Sequence, residues 1–430
     1  MTKITKNRVA KIKQDLTSGM TQPVVAKKHK VSRSLISDIQ TNRVHRDVAW
    51  PDGDAPRNKV GGQHKNVPNY DPTNTKIQEL QSEVQHLLEE RNHALKAVKA
   101  SAKERGIFKA IVAEMDQRIH PFKALPPQRE VRRSQNVIEE HAVLHLSDGH
   151  HDQIVVPSEC GGMEEHNFAI SCRRAETLVD TALDWTQDTL SPKFNFKRLT
   201  ILAYGDHTSG EIHGHTGRSA YRNQFNNCLA IGQLHSLMFR DFAPHFDAVD
   251  VVYVPGNHGR RSVKKDFHGA HDNWDYLIAK VAELHCRELP NVSFLIPDSF
   301  SVNLDINGVG FNISHGDDVR GNLGIPFYGM VRRQKGLIAL GASQGGPRIR
   351  YFCMGHHHVS ASLADIDGEL IVNGAWVGTD SYAYNSFSGY REPSQWIHGV
   401  NPKHGITWRM NVHLRTKDEA KGPQRYKIEI

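Results

Sequence analysis

The stretch RYFCMGHHH, residues 350–358, runs from apolar residues straight into a glycine and three consecutive histidines. Such a run usually marks an engineered tag at a chain end, but this one lies deep inside a 430-residue chain. Read as a strand, it delivers imidazoles at its carboxyl end. Four other stretches share this grammar. AVLHLSDGH (142–150) ends in Asp148, Gly149 and His150, and LTILAYGD (199–206) ends in Gly205 and Asp206. DVVYVPGNH (250–258) ends in Gly256, Asn257 and His258, and GVGFNISHGD (308–317) ends in His315, Gly316 and Asp317.

Strands are expected at 142–147, 198–204, 249–254, 309–314, 349–354 and 369–373, and helices at 172–189, 219–242, 272–287 and 327–338. Strand and helix alternate, which is the α/β pattern. Ligands of open α/β sheets bind beyond the carboxyl ends of the strands. That edge would therefore gather Asp, His, Asp, Asn, His and His, oxygen and nitrogen donors that suit Mn, Fe or Zn. One histidine among 27 carries little weight. Five strand ends in series, three with glycine just before the ligand, carry much more. Alternate side chains of an extended strand point the same way. His356 and His358 are thus expected on one face, with His357 pointing elsewhere, and Gly355 would let the backbone approach the site.

In this order D-x-H, G-D, G-N-H, H-G-D and G-H-x-H resemble the calcineurin-like metallophosphoesterase superfamily, specifically its nuclease branch, over roughly residues 140–380. The resemblance implies a four-layer α/β/β/α sandwich that holds two divalent metal ions. Mn is the expected metal, with Fe or Zn as alternatives. Carried over by residue, it assigns Asp148, His150 and His358 to one metal and Asn257, His315 and His356 to the other, with Asp206 bridging. His258 is similar to the family's non-ligand histidine, a catalytic residue facing the scissile phosphate. The implied activity is phosphodiester hydrolysis by water activated between two metals, with DNA as the substrate. A phosphatase, a small-nucleotide phosphodiesterase and a non-catalytic DNA-binding protein are the alternatives, because the ligand set does not separate them.

The chain departs from the family pattern after His258. The family often has an acidic residue there, whereas Gly259, Arg260 and Arg261 follow here. The basic pair is placed to contact an extended phosphate backbone. The insert HTSGEIHGHTGRS (207–219) adds His213 and His215, either as further ligands or as a substrate-facing loop. In NGAWVG (373–378), Trp376 is either a stacking surface for a base or a core residue.

Outside this region the charge is uneven. Residues 1–46 hold eleven Lys or Arg against two acids, a net of +9, so a chain of net +7 leaves −2 for the remainder. A compact basic module points to a polyanion. Three short helices are legible in 1–48. Val9, Ile12 and Leu16 share one face, Thr21 caps a segment with inward Val24, Val25 and Ala26, and Ser32 caps a third with Leu35, Ile36 and Ile39. The arrangement resembles a helix-turn-helix DNA-binding domain. Arg33, Ser34 and Ser37 would face bases, with Lys27, Lys28, Lys30 and Arg43 near phosphates. A helical protein-interaction module is the other reading.

Residues 49–75 and 120–137 read as linkers, 138–390 as the dimetal domain and 391–430 as a C-terminal extension. Residues 76–119 read as one long helix, either a coiled coil that makes a homodimer or a helix packed on its own domain. No apolar run approaches membrane-spanning length. Five scattered cysteines and an N-terminus without an apolar core point to a reducing cytoplasm.

Overall fold

The computed structural model describes residues 5–41, 44–45, 47–51, 109–128, 137–213, 218–263, 269–319, 326–343, 348–366, 368–387, 389–416 and 424–428. The chain divides into two compact units, Met1–Glu89 and Glu90–Ile430.

In the first unit α1 (Lys6–Thr17), α2 (Gln22–His29) and α3 (Arg33–Gln40) surround Val9, Ile12, Leu16, Val25, Ala26, Ile36, Ile39 and Trp50. Lys30 adopts a left-handed conformation at φ 47° and ends α2, which turns the chain tightly into α3. Ser32 caps α3 by accepting the Leu35 N–H at 3.2 Å. Thr21 makes no side-chain cap bond. Val24 is exposed, a correction to its expected inward position. Successive helical residues are about 100° apart, so three in a row cannot all face one core. Lys13 is buried with its ammonium over the Trp50 ring at 4.8 Å and donates to the His45 carbonyl at 3.2 Å.

The second unit holds two sheets. The first has the order β11-β10-β1-β2-β3-β4, from β1 (Ile138–Leu146), β2 (Phe194–Ala203), β3 (Ala248–Tyr253), β4 (Val292–Leu295), β10 (Ser394–Asn401) and β11 (Gly405–His413). Strands β1 to β4 are parallel, joined through α5 (Phe168–Leu183), α6 (Gln224–Phe242) and α7 (Trp274–Cys286). The second has the order β5-β6-β7-β9-β8, from β5 (Ser301–Ile306), β6 (Val309–Ser314), β7 (Ile349–Met354), β8 (Ala361–Asp365) and β9 (Gly368–Val372).

Alternation along the strands builds the layers. Leu144, Ile201 and Val251 pack outward on Leu178, Met238, Phe239 and Ala282 of the helices. Val143, Leu202 and Val252 pack inward on Phe311, Ile313, Cys353 and Ile371 of the second sheet. That sheet's other face, with Phe352 and Leu370, takes Met330 and Leu337 of α8 (Phe327–Ser343). The order is helix, sheet, sheet, helix.

Two readings change. The segment set apart as 391–430 supplies β10 and β11, and β10 pairs antiparallel with β1, so the first sheet runs past residue 390. The end of the expected long helix, 109–118 (α4), has Met115 packed with Ile231, Leu277, Ile278 and Val281, flanked by Ile111, Val112 and Ile119. These apolar positions therefore cover α6 and α7 of their own unit, and Arg287 clasps the Asp116 carboxylate at 2.6 Å. The rest of that segment, 76–108, lies outside the described residues. All five cysteines are free and buried. No helix among the described residues is long and apolar enough to cross a membrane.

The small unit's core is directly testable. Ile36→Ala should cost about 2–5 kcal/mol and raise amide hydrogen exchange across α1 to α3 together. Val24→Ala should change stability by no more than about 0.5 kcal/mol and leave that exchange as in the wild type.

Candidate metal centre

Five strands end at one edge: β1 before Asp148 and His150, β2 before Asp206, β3 before Asn257 and His258, β6 before His315, and β7 before His356 and His358. The segments after β1 and β2 zip together. Asp148 N–H donates to the Gly205 carbonyl, His150 to Asp206 and His151 to His207, each at 3.0 Å. Asp148, His150, Asp206, His356 and His358 have positive φ, at 51°, 40°, 55°, 65° and 53°. Such a conformation is uncommon without a glycine and costs about 1–3 kcal/mol per residue, so its concentration here marks a site held under strain.

This corrects the reading of the histidine run. Strand β7 ends at Met354, and His356 and His358 lie beyond it with positive φ. Strand alternation therefore does not place them, and they join different clusters. His357 joins neither ligand cluster.

Two clusters form. Asp148, His150 and His358 make one, with His358 Nε2 3.4 Å from Asp148 Oδ1 and 3.3 Å from His150 Nε2. Asp206, His315 and His356 make the other, with His315 Nε2 2.8 Å from Asp206 Oδ2 and 3.0 Å from Asn257 Oδ1. Asp206 also groups with His150 and His258, which puts it between the two clusters. Ligands about 2.0–2.2 Å from a shared ion lie a little over 3 Å apart, so this donor set fits two divalent cations. The His315 ring is aimed by its Nδ1, which meets the Tyr204 carbonyl at 2.9 Å and leaves Nε2 for the site.

The electrostatics follow from burial. Burial alone would push the Asp206 carboxyl up, but His315, His258 and His150 outweigh it and hold Asp206 well below the carboxylate range. His315 is drawn down by burial, yet Asp206 raises it to about 10. His150 sits well below the usual imidazole value because of burial and the neighbouring His258 and His358. A cation held between these groups would supply the positive charge that balances Asp206.

His258 is oriented without an acidic neighbour in sequence. Its Nδ1 meets the Ser209 carbonyl at 2.9 Å, and its backbone N–H donates to Asp206 Oδ1 at 2.7 Å. Nδ1–H is therefore the donor, and Nε2 is available on a half-exposed ring edge-on to His150 at 4.7 Å. The exposed His213 ring lies 4.9 Å from His258, at the mouth of the site, and His215 is outside the described residues. Arg260 Nε donates to the Asn257 carbonyl at 3.0 Å, and Arg261 pairs with Asp272 at 3.1 Å, so both arginines brace the loop that carries His258. Trp376 is fully buried, with Nε1 donating to the Ser171 carbonyl at 3.3 Å. It is a core residue and not a stacking surface.

Sequence reasoning missed the supports. Asp275, fully buried at the start of α7, accepts N–H bonds from Asp206 at 3.0 Å, His207 at 3.2 Å and Gly256 at 2.9 Å. Burial and the nearby Asp206 push its carboxyl up to about 6. The run DNWD (272–275) signals only a helix start, and Asn273 Oδ1 does accept the Asp275 N–H. Under Asp148, Ser147 donates to Oδ2 at 2.6 Å and is held by Asn373 at 3.0 Å.

Of the residues expected to meet DNA, Lys27, Lys28, Lys30, Arg33 and Ser34 are exposed, while Ser37 is half-buried and Arg43 lies outside the described residues. Lys28 is paired with Asp15 at 2.8 Å.

No known family pattern and no curated protein matches the chain. Among solved structures, an archaeal phosphodiesterase aligns at 11% identity over 63% of this chain and 98% of its own, with a TM-score of 0.28. Zinc-bound Vps29 of Entamoeba histolytica aligns at 9% identity over 64% and 99%, with a TM-score of 0.27. A phosphoesterase-like protein of Streptococcus pneumoniae aligns at 7% identity over 63% and 97%, with a TM-score of 0.25. At such scores the likeness settles neither fold nor activity, which rest on the residues themselves.

The glycines give a sharp test. A Cβ on Gly355 would lie 2.2 Å from Asp148 Oδ2, whereas one on Gly336 meets nothing within 4 Å. Gly355→Ala should lower the metal-to-protein ratio after desalting while the far-ultraviolet circular dichroism keeps its native form. Gly336→Ala should leave both unchanged.

Proposed function

We propose that the chain is a Mn-dependent phosphodiesterase that cleaves DNA. The observation that carries this reading is the convergence of Asp148, His150, Asp206, Asn257, His315, His356 and His358 beyond the carboxyl ends of strands from both sheets, with His258, read as a non-ligand, beside them. Asp148, His150 and His358 would hold one ion, and Asn257, His315 and His356 the other, with Asp206 shared. Bound there, two divalent ions supply Lewis acidity toward a phosphoryl oxygen and make a water easier to deprotonate. Mixed nitrogen and oxygen donors suit Mn better than Mg.

The chain's own residues do the rest. Ser209 fixes the His258 ring through Nδ1, so Nε2 is the atom that carries a proton toward the leaving oxygen. Asp206 accepts the His258 N–H, which ties the position of that proton carrier to the ligand between the two clusters. Arg260 and Arg261 brace the loop that holds both Asn257 and His258.

DNA is the favoured substrate because the basic charge is confined to a small three-helix unit. The tight turn at Lys30 and the exposed N-terminal residues of α3, Arg33 and Ser34, support the helix-turn-helix reading.

End-labelled DNA in Mn, with a small aryl phosphodiester in parallel, tests the activity. Wild type should cleave the DNA, and His258→Ala should lose roughly 10²–10⁴-fold in rate while both metals stay bound. Cleavage of the ester with intact DNA would instead indicate a small-substrate phosphodiesterase. Removal of residues 1–46 should abolish most DNA affinity and flatten its salt dependence without changing metal content. Unchanged affinity would exclude the basic unit as the DNA-binding element.

A further inference from the structure

The two segments that supply His150 and Asp206 continue into His151 and His207. These belong to a separate cluster, completed by His235 of α6. All three side chains are fully buried, and one ring nitrogen of each lies within 4.8 Å of the others. The outer nitrogens of two rings are already engaged. His151 Nδ1 meets Ser171 Oγ at 2.6 Å, and His235 Nδ1 meets the Tyr253 hydroxyl at 2.7 Å. Their Nε2 atoms are thereby turned to face each other at 3.1 Å. Outer hydrogen bonds that fix the ring and aim the other nitrogen inward are the usual support of a histidine ligand.

His207 is the decisive member. Both of its ring nitrogens are buried without a hydrogen-bond partner. An imidazole always carries a donor or an acceptor on each nitrogen, and leaving a buried one unmet costs about 1–3 kcal/mol. A core residue selected only for packing would not be histidine here. Space has also been left for the cluster, since a Cβ on Gly149 would fall 2.5 Å from His151 Nε2.

We propose that His151, His207 and His235 form a third metal site, which takes one zinc-class cation on three imidazoles. Three nitrogen donors with neither thiolate nor carboxylate suit Zn²⁺. Ligand nitrogens on a tetrahedral zinc at about 2.0–2.1 Å are a little over 3 Å apart, close to the spacing of the two Nε2 atoms. The site is closed to solvent, so its ion enters as the chain folds. Its role is positional. It clamps 148–151 and 205–207, the segments that carry Asp148, His150 and Asp206, onto α6. The proposal is independent of what the centre in front of it hydrolyses.

Zinc counting on the full chain tests it. Asp206→Ala combined with His315→Ala disables the dinuclear centre and should still retain one tightly held zinc per chain. Loading that variant with cobalt should give the intense visible bands of a tetrahedral site. His207→Leu in the wild-type background should lose one metal equivalent and lower Tm, although it removes no hydrogen bond. The proposal is overturned if His207→Leu keeps the wild-type metal count with an equal or higher Tm. It is equally overturned if the double variant is natively folded and holds no zinc. Should the double variant not fold, the comparison of wild type with His207→Leu still decides. A failed dinuclear centre would lower both of those counts equally and leave their difference intact.

Discussion

Two carboxylates, Asp148 and Asp206, are buried at the ends of adjacent parallel strands, and the side chains around them are mostly imidazoles. An ionised carboxylate removed from water costs several kcal/mol unless positive charge and hydrogen bonds replace the solvent. Burial drives His150 and His356 toward the neutral form, while His315 and His358, beside Asp206 and Asp148, are raised. Divalent cations held among the same side chains would supply the remaining positive charge. The left-handed backbone at five ligand positions, the glycines that admit no Cβ and the buried Asp275 that ties three backbone N–H groups all follow from holding those charges in place. Much of the surrounding structure exists to keep this arrangement from relaxing.

The residues that converge at the candidate metal centre were legible in the sequence because each follows an apolar strand, so local pattern and spatial cluster coincide. Strands β6 and β7 match their expected limits, since apolar runs there stop abruptly at polar or glycine residues. Helix starts were less legible. Helix α5 begins at Phe168 and α6 at Gln224 because Asn167 and Asn223 accept the N–H groups of Ile170 and Asn226. The expected starts at 172 and 219 overlooked these caps. Strands β10 and β11 end in no ligand motif, so their segment read as an extension. Asp275 and the cluster of His151, His207 and His235 were invisible for another reason. Their meaning depends on which distant elements pack together, and no spacing along the chain encodes that.

Residues 1–46 concentrate positive charge around a tight turn, while residues 47–430 carry a slight negative balance, and the larger unit gathers its candidate ligands where strands of both sheets end. Fold alone does not choose the substrate of such a site. The choice of DNA rests on the basic unit, and the choice of hydrolysis rests on the metal ligands. Either can fail without the other.

The central claim is that Asp206 lies between two metals. Electron paramagnetic resonance of the manganese-loaded chain addresses it directly. Two ions sharing Asp206 should give the multiline signal of an exchange-coupled Mn pair, and Asp206→Ala should remove it. A simple six-line spectrum of isolated Mn at full loading would contradict a dinuclear centre.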